Sequence, residues 1–157
     1  MKYFSVKDWD EYDEKAEQVI AYRSYISSVR PHLPKDLQLL TGAGGELSLN
    51  DGEIESLAIY LETSTVRINI NGKWIEETLV GDRIYSLVYK GVISVISTID
   101  PDAKGLHGSG YGFHGFDEVE LIKENIFEHK MLFTSGIELQ IRFQDFSMTY
   151  KDIPKAA

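Results

Sequence analysis

From residue 47 onward the apolar residues recur mostly at every second position, in short runs separated by turn-forming residues. A period of two is the spacing of a strand with one buried face, since successive side chains of a pleated chain point to opposite sides. Ile137, Leu139, Ile141 and Phe143 alternate with Glu138, Gln140, Arg142 and Gln144, the pattern of a sheet with one wet face. The same reasoning predicts strands over Ile54 to Leu61, Val66 to Ile70, Arg83 to Tyr89, Val92 to Ile99, Val119 to Ile122 and Phe127 to Phe133. Glu62-Thr63-Ser64-Thr65, Gly91, Asp100-Pro101-Asp102 and Ser135-Gly136 read as the turns or bulges between them. Asn71-Gly72 favours a tight hairpin, because both central positions of that turn need a positive φ. Parallel crossovers need a dozen or more residues, and only the segment from Pro101 to Asp117 is that long, so the strands should run antiparallel as a meander.

The first part of the chain follows another period. Trp9, Tyr12, Ala16, Val19, Ile20, Tyr22, Ile26 and Val29 fall mostly three or four apart, which predicts one amphipathic helix from Asp8, as N-cap, to Arg30 before Pro31. A short turn is expected over Asp36 to Leu40, and the glycines from Gly42 to Gly45 should form a hinge. A one-sided helix and a one-sided sheet each need a partner for burial. The expected fold is therefore α+β, with the long N-terminal helix packed on the apolar face of one mainly antiparallel sheet of about seven strands. All 157 residues form one domain on this reading, with a helical part over 1–45, a β-rich part over 46–150 and a tail over 151–157.

Composition narrows the function classes. Asp and Glu outnumber Lys and Arg by 25 to 16, a net charge of -9, so the long-range field repels phosphate backbones and no nucleic-acid partner is expected. The absence of cysteine excludes disulfides, thiolate nucleophiles and Cys-ligated zinc. Lys7-Asp8-Trp9-Asp10-Glu11 follows the first residues directly, without the apolar run of a signal peptide, and no run has the length of a membrane helix. The cytoplasm is the expected location and no membrane partner is anticipated.

Three stretches carry a resemblance: Met1-Lys2-Tyr3-Phe4 with Trp9, Leu49-Asn50-Asp51-Gly52-Glu53-Ile54, and Phe127-Glu128-His129-Lys130 with Ser135-Gly136-Ile137-Glu138-Leu139. Together they resemble small uncharacterised bacterial proteins, some of which look like immunity proteins of contact-dependent and polymorphic toxin systems. The resemblance implies a non-enzymatic binding domain. Where those proteins often place a histidine before the aspartate, this chain has Asn50, so no His-Asp chemistry is carried over.

Read for chemistry, the residues give few catalytic signals. Gly110-x-Gly112-x-x-Gly115 matches the dinucleotide fingerprint as a string, but Asp117 to Leu121 reads as a charged strand where the fingerprint needs a helix N-terminus, so no cofactor is expected. His107 and His114, with Asp100, Asp102 or Asp117, are of metal-ligating type, yet their spacing matches no zinc signature and no metal is expected. Tyr111, Phe113 and Phe116, interleaved with glycine, suit a lid over a small ligand, a segment His107 and His114 would share, or packing back onto the sheet; packing is the expectation. His129 shares a strand side with Phe127, Met131 and Phe133, which points to a partly buried structural residue rather than a base. Asp10, Asp13, Glu14 and Glu17 are spaced to share one helix face. Such a face is either simply solvated or an acidic docking surface for a basic protein partner. The leading reading is a non-catalytic binding protein that occludes a cationic partner, with a small-molecule or metal-binding protein using loop 105–117 as the alternative.

Overall fold

The computed structural model describes residues 1–5, 8, 12–72, 83–99 and 111–153. Trp9, Asp10, His107 and the Asp100-Pro101-Asp102 turn lie outside them. One helix, α1 (Glu17–Val29), is followed by short 3-10 turns and by eight strands among the described residues. In chain order these are β1 (Glu53–Tyr60), β2 (Thr65–Asn71), β3 (Arg83–Lys90), β4 (Ser94–Ile99), β5 (His114–Lys123), β6 (Ile126–Phe133), β7 (Ile137–Phe143) and β8 (Asp145–Asp152).

The α+β class and the antiparallel pairing stand, but the strands form two sheets rather than one. Their orders are β1-β2-β3-β8 and β4-β7-β6-β5, with every described pair antiparallel. The physical reason is burial: each sheet has one apolar face, and the two faces cover each other more completely than one helix could cover a seven-stranded sheet. Val66, Ile68, Ile70, Leu87 and Tyr89 of the first sheet and Val119, Met131, Leu139, Ile141 and Phe143 of the second are completely or almost completely buried. Each such side chain stabilises the fold by roughly 1.5–3 kcal/mol before the entropy of ordering is subtracted.

The eighth strand was hidden because only Gln144 separates β7 from β8, and a lone residue carries no turn signature. Here the chain bends from one sheet into the other. Its neighbour bends at the same place, where Gly91 adopts φ +59° between β3 and β4. The Gln144 amide donates to the Lys90 carbonyl at 3.0 Å and the Ile93 amide to that of Arg142 at 2.8 Å. A Cβ at position 91 would meet the Gln144 side chain at 2.4 Å, so both the backbone conformation and this approach favour glycine. On the opposite side Glu53 and Phe113 form an isolated bridge that ties the edge of β1 to the start of β5. Asn71 and Gly72 do not make a tight hairpin, since β2 runs through Asn71, which pairs with Ile84.

The helix is shorter than its period predicts. It starts at Glu17 with Ala16, not Asp8, as its N-cap, and the Asp8 carboxylate accepts from the Ser5 amide and hydroxyl at 2.6 and 3.0 Å. Asp13 takes the Lys15 amide onto its own side chain at 2.9 Å, a local bond that competes with helix formation just ahead of Glu17. Val19, Tyr22 and Ile26 form the buried stripe, while Ile20 stays exposed. Instead of lying over a sheet face, α1 seals an edge. The Val119 and Leu121 amides of β5 donate to the hydroxyls of Tyr22 and Tyr25 at 2.7 and 3.0 Å, which satisfies donors that an edge strand otherwise leaves bare.

The N-terminal segment fixes the outer face of the same strand. Glu118 is buried, and its carboxylate accepts the amides of Lys2, Tyr3 and Phe4 at 2.9, 2.6 and 2.9 Å. The ammonium group of Met1 lies 2.5 Å from Glu138. Alternation alone assigns Glu118 to the wet face; the segment packed over it is what takes it out of water.

Candidate functional site

A register shift between His114 and Phe116 sets the site. The bulge at Gly115 restarts the alternation of β5, so that Asp117 shares its side with Val119 and Leu121 and points toward the interior. On β6, His129 lies directly opposite Val119. Its Nε2 is 3.0 Å from Asp117 Oδ2, and its Nδ1 is 2.8 Å from the hydroxyl of Tyr89, which reaches across from the first sheet. His129 is fully buried and the Asp117 side chain is only 9% exposed.

The proton placement in this chain of bonds follows from the groups at its ends. Burial pushes the Asp117 carboxyl upward, but the hydrogen bond from His129 and the neighbouring imidazoles outweigh that and hold it below its ordinary value of 3.8. An ionised carboxylate only accepts, so Nε2 carries the hydrogen. Burial, reinforced by the charge of Asp117, keeps the Tyr89 hydroxyl protonated well above its ordinary value. The carboxylate is thus oriented from behind by a ring that is itself oriented by a phenol.

In front of Asp117 opens a cleft of about 810 Å³. Its walls come from α1, from the 41–45 segment and from the N-terminal strap, with Phe4, Tyr12, Tyr22 and Phe116 among the lining residues and Glu14 and Arg23 toward α1. Phe116 stacks on Phe4 with ring centroids 5.0 Å apart and on Tyr12 at 5.8 Å, so the aromatic wall is built before any ligand arrives. Gly42 is part of the floor. A Cβ there would sit 2.0 Å from Asp117 Oδ2, and the Gly42 carbonyl accepts the Tyr22 hydroxyl. The glycine cluster expected to be a hinge is packed instead, with Gly42 and Ala43 buried.

His114 lies next along the strand and is 2% exposed. Neither ring nitrogen has a hydrogen-bond partner among the described residues. Burial pushes its imidazole below the ordinary 6.5, against the opposing pull of Asp117, so the ring stays neutral near pH 7. It packs edge-on against Phe133, with ring centroids 5.8 Å apart.

The residues singled out from sequence divide accordingly. Tyr111 packs on Phe133, Phe116 stacks on Phe4 in the wall of the cleft, and Phe113 remains 39% exposed at the bridge to Glu53. Asp13 and Glu14 precede the helix, so with Glu17 they do not share a helix face; all three are exposed, and Glu14 joins the cleft lining. Asp10 and His107 lie outside the described residues. Among the described residues no three histidine or carboxylate side chains converge as a metal ion would require. Sequence reading missed the bond between Asp117 and His129. The inward alternation of β6 identifies His129, but its carboxylate partner is set by a bulge that only the cross-strand register reveals.

No protein-family model matches this chain, and no characterised protein is significantly similar to it. No helix among the described residues is long and apolar enough to cross a membrane. Function has to be argued from the site itself.

Proposed function

We propose that the protein is a non-catalytic binding module that receives a basic side chain of a protein partner in the cleft above Asp117. The observation that carries this reading is an ionised carboxylate at the floor of an aromatic-walled cleft. A cation entering such a cleft gains a charge-assisted hydrogen bond to the carboxylate and the attraction of aromatic faces, together worth roughly 2–4 kcal/mol. His129 supports the same conclusion from the other direction: with no exposed surface it cannot reach a substrate, so it acts by orienting Asp117 rather than as a base. The exposed carboxylates of Asp13, Glu14 and Glu17 belong to the approach path, where charge acts mainly on encounter. Occlusion of a cationic partner in the cytoplasm, in the manner of an immunity protein, is the biological role that this chemistry and the net charge of -9 support.

The test is titration of the protein with short Arg- and Lys-containing peptides, followed by fluorescence anisotropy. Asp117→Asn keeps the volume of the floor and removes its charge; it should weaken binding at least about tenfold. Neutralising Asp13, Glu14 and Glu17 together should chiefly slow association and reduce its salt dependence. Peptides that fail to bind, or that bind Asp117→Asn equally well, would refute the reading.

A further inference from the structure

The edges of the two sheets are protected unequally. The first sheet ends in β1, which carries Glu53 and Glu55, and in β8, which carries Asp145, Lys151 and Asp152. The second ends in β5, covered by α1, and in β4. Between Lys90 and Asp100 there is no charged residue at all. Natural edge strands carry charges, prolines or covers to prevent strand addition, and β4 carries no charge or proline and has no cover among the described residues.

Val95 packs against the core, but the isoleucines of this edge face water. Ile93, Ile96 and Ile99 are 52, 46 and 55% exposed, and Leu61 and Ile59 from the β1–β2 hairpin tip lie with Ile93 around a groove of about 280 Å³. Exposed apolar surface concentrated on one strand edge marks an interaction site.

The order of residues indicates what fits there. From position 93 to 99 the chain reads Ile-Ser-Val-Ile-Ser-Thr-Ile, with isoleucines at both ends and at the centre and hydroxyl residues next to each end. An antiparallel pairing of this strand with itself, about a two-fold axis at Ile96, sets Ile96 against its own counterpart and Ile93 against the counterpart of Ile99. Ser94 then faces the counterpart of Thr98. Residues directly opposite in an antiparallel pair share a face, so these matches are direct contacts. The register brings no like charges opposite each other. Within one chain Ser94 lies beside Arg142 and Thr98 beside Glu138 on β7, so each cross-sheet row is flanked by Arg142 on one side and the counterpart of Glu138 on the other. Elsewhere the net charge of -9 makes two copies repel each other.

We infer that β4 is a self-pairing edge, through which two copies of the chain join their second sheets into one continuous eight-stranded sheet with two-fold symmetry. A foreign strand would have to supply isoleucines at this spacing; a second copy supplies them by symmetry. The inference is independent of the cleft, which lies at the opposite edge of the same sheet.

Sedimentation of the full chain from micromolar to near-millimolar concentration should show a monomer–dimer equilibrium. Ile96→Lys places like charges directly opposite each other on the axis and should weaken the dimer at least about tenfold. Because the chain contains no cysteine, Ile96→Cys is a clean reporter: mild oxidation should link it into a covalent dimer much faster than it links Thr149→Cys on the edge of the first sheet. Should Ile96→Lys fail to fold, the cysteine pair decides alone. A chain that remains monomeric throughout, a dimer unaffected by Ile96→Lys, or equal cross-linking of the two cysteine variants would overturn the inference.

Discussion

At β5 the second sheet gives its Val119 and Leu121 amides to the hydroxyls of Tyr22 and Tyr25, while at β4, the other edge of the same four-stranded sheet, there is no charge and no cover among the described residues. One edge is closed by polar groups that sit far away in sequence. The other is left apolar and regular. A closed edge concentrates stability in a few specific bonds, so single substitutions there should be costly. An open one owes little to any side chain in the monomer, and its substitutions should act on association instead.

The sharpest way to break the closed edge is Gly42→Ala. The added methyl group would lie 2.0 Å from Asp117 Oδ2, and because the 41–45 segment is held by Tyr22, neither side yields easily. A loss of about 3 kcal/mol is expected in urea unfolding. His129→Leu should cost nearly as much, about 3 kcal/mol, because it leaves a largely buried carboxylate without its partner. Its signature is a rise in the Asp117 pKa, which NMR titration would show and Gly42→Ala would not share if it merely displaced the backbone. Tyr22→Phe should cost about 1–2 kcal/mol, since it removes one hydroxyl that serves both the Val119 amide and the Gly42 carbonyl.

Titration tests the same edge without disturbing a bond. Burial holds folded His114 below its ordinary 6.5, so as pH falls through that value the unfolded chain takes up a proton that the folded chain refuses, and stability declines. Asp117, held below 3.8, contributes stability that is complete above that value and lost as pH drops through its lower folded pKa. His114→Phe should abolish the first decline and leave the second, as stability measured between pH 7 and 3 would reveal. At the open edge, by contrast, Ile96→Thr should alter monomer stability by about half a kcal/mol or less.

How much of this could be read from the chain depends on the range of each interaction. The strands of β1, β2, β3, β6 and β7 follow from alternation, and the end of α1 from Pro31, because these are local patterns. The start of the helix was misplaced because the Asp13 side chain competes locally with its extension, and β8 was missed because Gln144 turns the chain without a turn sequence. The site was the least legible part. It combines Tyr89, Asp117 and His129 from three strands and Gly42 from a loop, and no periodicity records which strand lies beside which. The symmetric spacing of Ile93, Ile96 and Ile99, however, is written entirely in the sequence, and only the edge position of β4 gives it meaning.

The paired bends at Gly91 and Gln144 bear on how the molecule comes apart. Because β3 continues into β4 and β7 into β8, and each long strand is hydrogen-bonded to the other on both sides of the corner, neither sheet owns its strands outright. Separating the two sheets would strain both corners at once, because the paired β3 and β8 run on as the same two-stranded ribbon that pairs β4 with β7. The two layers should therefore melt as one cooperative unit, with core amides of both exchanging at a common global rate, even though they pair as two separate sheets.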